Sequence, residues 1–168
     1  MRSIFIALIV VSLTGLVGHA QRGRGGAAND PPVPQLNLTQ NPRIDQLKDE
    51  LMADIDSRRV FTQQMVDTTF SFSELGFQEV ETQRYVTDIL VKEGFEVQRG
   101  VAGVPTSWVG KYGSGRPIIA LGTDIDGLPT TNQTPGAVTG KELVVGAPGH
   151  GEGHNAGQAL IMTAALAL

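Results

Sequence analysis

Apolar positions along the chain follow two different periods, and the change of period divides it. From Asn41 onward, Ile44, Leu47, Leu51 and Ile55 recur at spacings of three and four. That spacing places them on one stripe of an amphipathic helix. Asn41 supplies an N-cap and Pro42 suits the first helical position. The stripe is expected to continue through Phe61, Met65 and Val66, until Ser73-Glu74-Leu75-Gly76-Phe77 interrupts it. A second helix is expected from Glu79 to Lys92, with Val86, Ile89 and Leu90 facing inward and Gly94 as its stop signal.

The pattern then shortens. Phe95–Gln98 and Thr106–Tyr112 alternate as strands do. Arg116–Thr123 contains the continuous run Pro117-Ile118-Ile119-Ala120-Leu121, which predicts a strand buried on both faces. Gly113-Ser114-Gly115 between the last two has the character of a hairpin link. A final helix is expected from Asn155, and from Ala156 to Leu168 it is apolar on nearly every side. Such a helix belongs inside a larger body. It has no closing Gly or polar cap, so a truncated product or partial sequence is expected. Helices, then strands, then a helix describe a mixed α/β domain.

Before Asn41 the pattern is different. Met1-Arg2 precedes a mostly apolar run from Ile4 to Val17, and Gly18-His19-Ala20 offers small residues for cleavage. This reads as an export signal over residues 1–20, which places the protein in the periplasm or outside the cell. An uncleaved membrane anchor is the alternative reading. Residues 21–40 are rich in Gly, Pro and polar side chains and are expected to be a flexible linker. Residues 41–168 would be the folded domain.

Composition narrows the chemistry. With 168 residues, one domain is the most the chain holds. A net charge of −4 gives no basic face for nucleic acid. There is no cysteine, so disulfides and thiolate–metal sites are excluded and any metal is held by His and carboxylates.

Two segments are candidates for function. Thr123-Asp124-Ile125-Asp126-Gly127-Leu128-Pro129 closes the apolar run. In open α/β sheets ligands collect at the carboxyl ends of strands, where Asp124 and Asp126 would be presented together. An Asp-Gly turn is the ordinary alternative. In Gly149-His150-Gly151-Glu152-Gly153-His154-Asn155, His and Glu alternate with Gly. Imidazole and carboxylate are ligands that zinc accepts without thiolate, and glycines let backbone close around an ion. The ordinary alternative is an exposed Gly-rich loop. The loop leads into the apolar helix, whose free N–H groups would favour an anion. Gly151-x-Gly153-x-x-Ala156 also fits a dinucleotide fingerprint, which requires a strand directly before it and an acidic residue further on.

Five segments in register resemble a known family. They are Glu74-Leu75-Gly76-Phe77-Gln78-Glu79, Gly100-Val101-Ala102-Gly103-Val104-Pro105-Thr106, Lys111-Tyr112-Gly113-Ser114-Gly115-Arg116-Pro117, Asp124-Ile125-Asp126-Gly127-Leu128-Pro129 and His150–Asn155. Their order resembles the zinc-dependent amidohydrolases of metallopeptidase family M-twenty, the aminoacylase/carboxypeptidase type that includes aminobenzoyl-glutamate hydrolases. The likeness spans residues 41–168. It implies the N-terminal part of a phosphorylase/hydrolase-like mixed-sheet catalytic domain, here incomplete. It implies hydrolysis of an amide in N-acyl or aminobenzoyl amino acids or small dipeptide-like substrates, two divalent metal ions (Zn or Mn), and a homo-oligomer when full length.

Carried over by position, His154 matches a metal-binding His. Glu152 stands where this branch commonly has a metal-binding Cys, a departure that suits manganese relatively better or marks a subfamily without activity. Asp126 matches a carboxylate that orients a metal-bound His, the catalytic role expected here. Asp124 stands where sister branches carry a His ligand, and His150 matches a loop His that is also counted among the metal candidates. The family's general base and later ligands lie downstream and have no counterpart in this chain. The 168 residues alone are therefore expected to be inactive. A non-catalytic exported binding remnant of the same fold is the second reading, and a dinucleotide-binding protein the third.

Overall fold

The computed structural model describes residues 41–168. The expected export signal and linker, with His19, lie outside the described residues. Four helices and one two-stranded sheet follow in order: α1 (Pro42–Ser57), α2 (Arg59–Phe72), α3 (Val80–Lys92), β1 (Glu96–Arg99), β2 (Trp108–Lys111) and α4 (His154–Ala167), with a short 3-10 turn at Val101–Gly103. The content is mixed α/β, as expected.

Asn41 caps α1 by accepting the Arg43 N–H at 3.1 Å, and Pro42 follows at the first position. The single stripe expected from Ile44 to Val66 is in fact two helices, broken at Arg58. Leu47 and Ile55 of α1 are exposed, and no residue of that helix is buried. The apolar period is real, but among the described residues little packs against it.

The core lies further along. Met65 of α2, Val86, Ile89 and Leu90 of α3, and Ala159 and Met162 of α4 form one buried cluster, with Phe61, Tyr85, Phe95 and Trp108 around it. α3 buries the three residues its spacing selects, and Gly94 ends it with φ 87°, a conformation that costs glycine nothing. β1 and β2 pair antiparallel, Glu96 opposite Lys111 and Arg99 opposite Trp108. Gly110 lies over Leu90, whose Cδ1 would be 3.0 Å from an added Cβ.

The expected buried strand at Arg116–Thr123 does not form. That segment joins no sheet and makes no backbone–backbone hydrogen bond, and Ile118 and Ile119 are 77% and 70% exposed. The Gly113–Gly115 link is therefore no hairpin, because the strand beyond it has nothing to pair with. A run that is apolar on both faces needs a neighbour on each side, and the described residues provide neither. The sheet among the described residues is the two-stranded β1–β2 pair. No helix among the described residues is long and apolar enough to cross a membrane.

Candidate functional site

The two candidate segments meet, and backbone bonds bring them together. Gly127 N–H donates to the Glu74 carbonyl at 2.7 Å. One residue on, Leu128 and Gly149 exchange a pair of bonds at 2.8 and 3.0 Å. The Asp124–Leu128 segment is thus pinned between the loop after α2 and the Gly-rich loop. Isolated bridges hold it there, not the end of a strand.

Glycine is required at both crossings. A Cβ on Gly127 would lie 3.0 Å from the Gly149 carbonyl oxygen, and one on Gly149 would lie 2.7 Å from the Asn132 backbone. Side chains from the intervening loop secure the arrangement. Thr131 Oγ1 donates to the Gly149 carbonyl at 2.7 Å, and Asn132 Oδ1 accepts from Leu143 N and Val144 N. Glu74, on the other side, accepts from the backbone N–H groups of Glu81 and Thr82 and from the Thr82 hydroxyl. Its carboxylate occupies the start of α3, where an anion is favoured. The residue that anchors Gly127 through its carbonyl therefore anchors α3 through its side chain.

Five candidate side chains converge on this frame. His154, the first residue of α4, directs Nδ1 at Asp126 Oδ1 (2.9 Å), the Asp126 carbonyl (3.1 Å) and Glu152 Oε1 (3.2 Å). Three oxygen acceptors around one nitrogen require that Nδ1 carry the proton. In the neutral ring Nε2 holds the lone pair, and it faces Asp124 Oδ2 at 3.8 Å. His150 repeats the motif. Its side chain is 1% exposed, and Nε2 lies 3.1 Å from the Thr69 carbonyl, so Nε2 is the donor. Its Nδ1 is buried without a hydrogen-bond partner and faces Glu152 Oε1 at 3.5 Å.

With both rings neutral, an imidazole lone pair twice opposes a carboxylate oxygen, and two acceptors do not bond each other. Their spacing exceeds a hydrogen bond and suits a cation held by both, given metal–ligand distances near ~2.1 Å. The donor set of neutral imidazole and carboxylate, with no thiolate, fits zinc or manganese in kind. It does not close a cage: among the described residues no group of three or more His, Asp or Glu is arranged to hold one ion.

Sequence reasoning missed Glu79. It marks the start of α3 in the pattern, yet its carboxylate is buried and accepts the Thr106 hydroxyl at 2.6 Å. A Cβ on Gly76 would stand 3.8 Å from Asp126 Oδ2 and 4.0 Å from Glu79 Oε1. The two carboxylates thus flank the same glycine. Glu79, Asp124 and Asp126 border one groove of about 1110 Å³, shared with Trp108, Ile119 and Met162. No signal in the spacing marks Glu79, because its burial depends on Thr106. The dinucleotide reading loses its support, since no strand precedes the Gly151–Gly153 turn.

Comparison with known proteins gives partial similarities. Over 103 residues the chain is 32% identical to the B subunit of p-aminobenzoyl-glutamate hydrolase from Escherichia coli (strain K12), covering 61% of this chain and 21% of that protein. It is 40% identical over 65 residues to thermostable carboxypeptidase 1 of Saccharolobus solfataricus, covering 38% of this chain and 16% of that one. It is 36% identical over 97 residues to thermostable carboxypeptidase 2 of the same organism, covering 56% and 24%. No family model matches, and no solved structure matches. The matched regions come to between 16% and 24% of each curated relative. The likeness of this chain is to parts of proteins named as a hydrolase and as carboxypeptidases.

Proposed function

We propose that this chain contributes one wall of a divalent-metal amidohydrolase site of the M-twenty type. Its substrate class is an amide joining an acyl or aminobenzoyl group to an amino acid, or a small dipeptide-like molecule. The carrying observation is that His154 meets Asp126 from 28 positions away, with its second nitrogen turned to Asp124. In this reading His154 Nε2, Asp124, Glu152 and His150 Nδ1 are donors to metal. Asp126 holds the proton on His154 Nδ1, which fixes the ring tautomer and makes Nε2 a better donor.

A bound divalent ion would polarise the amide carbonyl and acidify a water. Glu152, a harder donor than thiolate, favours manganese over zinc relative to a Cys-bearing site. Two donors per opposed pair leave each ion short of the usual three protein ligands plus water, so the 168 residues bind metal weakly and turn nothing over alone. Export to the periplasm or beyond belongs to the same proposal and rests on residues 1–20.

Calorimetric titration with Mn²⁺ and Zn²⁺ tests this. The expected result is saturable binding, weakened at least tenfold by His154→Ala and by Glu152→Ala, with no hydrolysis of N-acyl amino acids by the chain alone. Absence of saturable binding favours the second reading, a metal-free binding remnant, which draws on the incomplete ligand set and on Glu152. Turnover by the chain alone overturns the account of an incomplete site.

A further inference from the structure

On the reading of His154 and Asp126 as part of a metal site, we infer that Glu74 is a positioning residue of that site. It holds His154 in one tautomer through the peptide unit between Asp126 and Gly127. That unit is planar and rigid. Its N–H, on Gly127, donates to the Glu74 carbonyl at 2.7 Å, and its carbonyl, on Asp126, accepts from His154 Nδ1 at 3.1 Å. A shift of the Glu74 carbonyl therefore turns the Asp126 carbonyl with it. It also moves the Asp126 side chain, whose Oδ1 lies 2.9 Å from the same nitrogen.

The direction of the Glu74 carbonyl depends in turn on its side chain. Residue 74 follows Ser73, which closes α2 with φ 43°, a left-handed conformation uncommon outside glycine. Beyond it the chain turns, with Gln78 N–H donating to the Leu75 carbonyl at 2.9 Å. The Glu74 carboxylate anchors this turn. One oxygen accepts from Glu81 N at 2.9 Å, the other from Thr82 N and Thr82 Oγ1, both at 2.8 Å. These donors lie in the first turn of α3, seven and eight positions along the chain. Glu79, at the helix start, makes no capping bond of its own, because its carboxylate is taken up by Thr106. The end of α2 holds the other imidazole as well: the Thr69 carbonyl accepts from Ser73 N at 3.2 Å and from His150 Nε2 at 3.1 Å.

In the neutral ring of His154 two sets of acceptors compete for one proton. Asp126 and Glu152 draw it to Nδ1, while Asp124 faces Nε2. Turning Asp126 away weakens the first set. The proton then shifts toward Nε2 and removes the lone pair that a metal needs. A carboxylate that served only to start α3 would leave this balance unchanged.

Long-range proton–nitrogen NMR spectra of the neutral imidazoles, recorded without metal and assigned with His154→Ala, read the tautomer. Wild type is expected to carry the His154 proton on Nδ1. Glu74→Gln keeps the length but turns one acceptor into a donor that faces N–H groups. It should shift the ring toward the Nε2–H form and lower Mn²⁺ affinity about tenfold. Thr82→Val removes only the hydroxyl bond and should shift the ring less, in the same direction. Val86→Ala weakens α3 from the core with the bonds of Glu74 intact, so it should lower the urea midpoint and leave the His154 ring as in wild type. An unchanged tautomer in Glu74→Gln overturns the proposal, as does an equal shift in Val86→Ala. If Glu74→Gln loses its helical circular dichroism, Thr82→Val decides, and an unchanged ring there is equally fatal. Failure of wild type to bind Mn²⁺ would sink the metal reading alone, because the tautomer is measured without metal.

Discussion

Gly149 cannot be replaced without moving backbone. A Cβ there would stand 2.7 Å from Asn132 N and Cα and from the Thr131 carbonyl carbon. Overpacking against backbone costs about 1–3 kcal/mol, so Gly149→Ala should lower the stability read from urea unfolding by that amount and loosen the loop that carries Glu152 and His154. An unchanged midpoint would mean that Asn132 yields freely. Gln158 offers the opposite case. It is buried, and neither amide atom has a partner. An unsatisfied buried polar group costs roughly 1–3 kcal/mol. Gln158→Met keeps the length and removes the amide, so it should stabilise the fold by about 1 kcal/mol in the same assay. Destabilisation would show that the amide is bonded in solution.

Among the elements, α2, α3 and α4 carry the fold and α1 does not. Met65 is fully buried where α2 meets α4. Removing a buried Met side chain typically costs about 2–5 kcal/mol, and a core of so few residues has little reserve. Met65→Ala should abolish cooperative unfolding near room temperature. Leu47→Ala on α1, at a position already exposed, should change stability by less than about 0.5 kcal/mol. Equal losses from both would place α1 in the core after all.

For the described residues as a whole, exposed apolar side chains are a prominent feature. Ile118, Ile119, Val138, Val145, Leu160, Phe77 and Tyr112 are each exposed. Exposed apolar surface on this scale marks an interaction surface or a liability to aggregate. Native protein should enhance the fluorescence of an apolar dye such as ANS without denaturant. No enhancement would show that the surface is covered.

Local chemistry determined much of this protein from sequence alone. The Asn41-Pro42 helix start, the inward face of α3, the stop at Gly94 and the two short strands depend on residues a few positions apart, so spacing reveals them. The alternation of His, Glu and Gly between His150 and His154 marks that loop as a candidate site in the same way. Tertiary structure decided the rest. Spacing could not show that His154 turns one nitrogen to Asp126 and the other to Asp124, because that geometry depends on bonds from Gly127 to Glu74 and from Leu128 to Gly149. Nor could it reveal Glu79, buried only through Thr106. It also misjudged Arg116–Thr123, since an apolar run states a preference for burial, while burial itself requires a neighbouring surface that residues 41–168 do not supply.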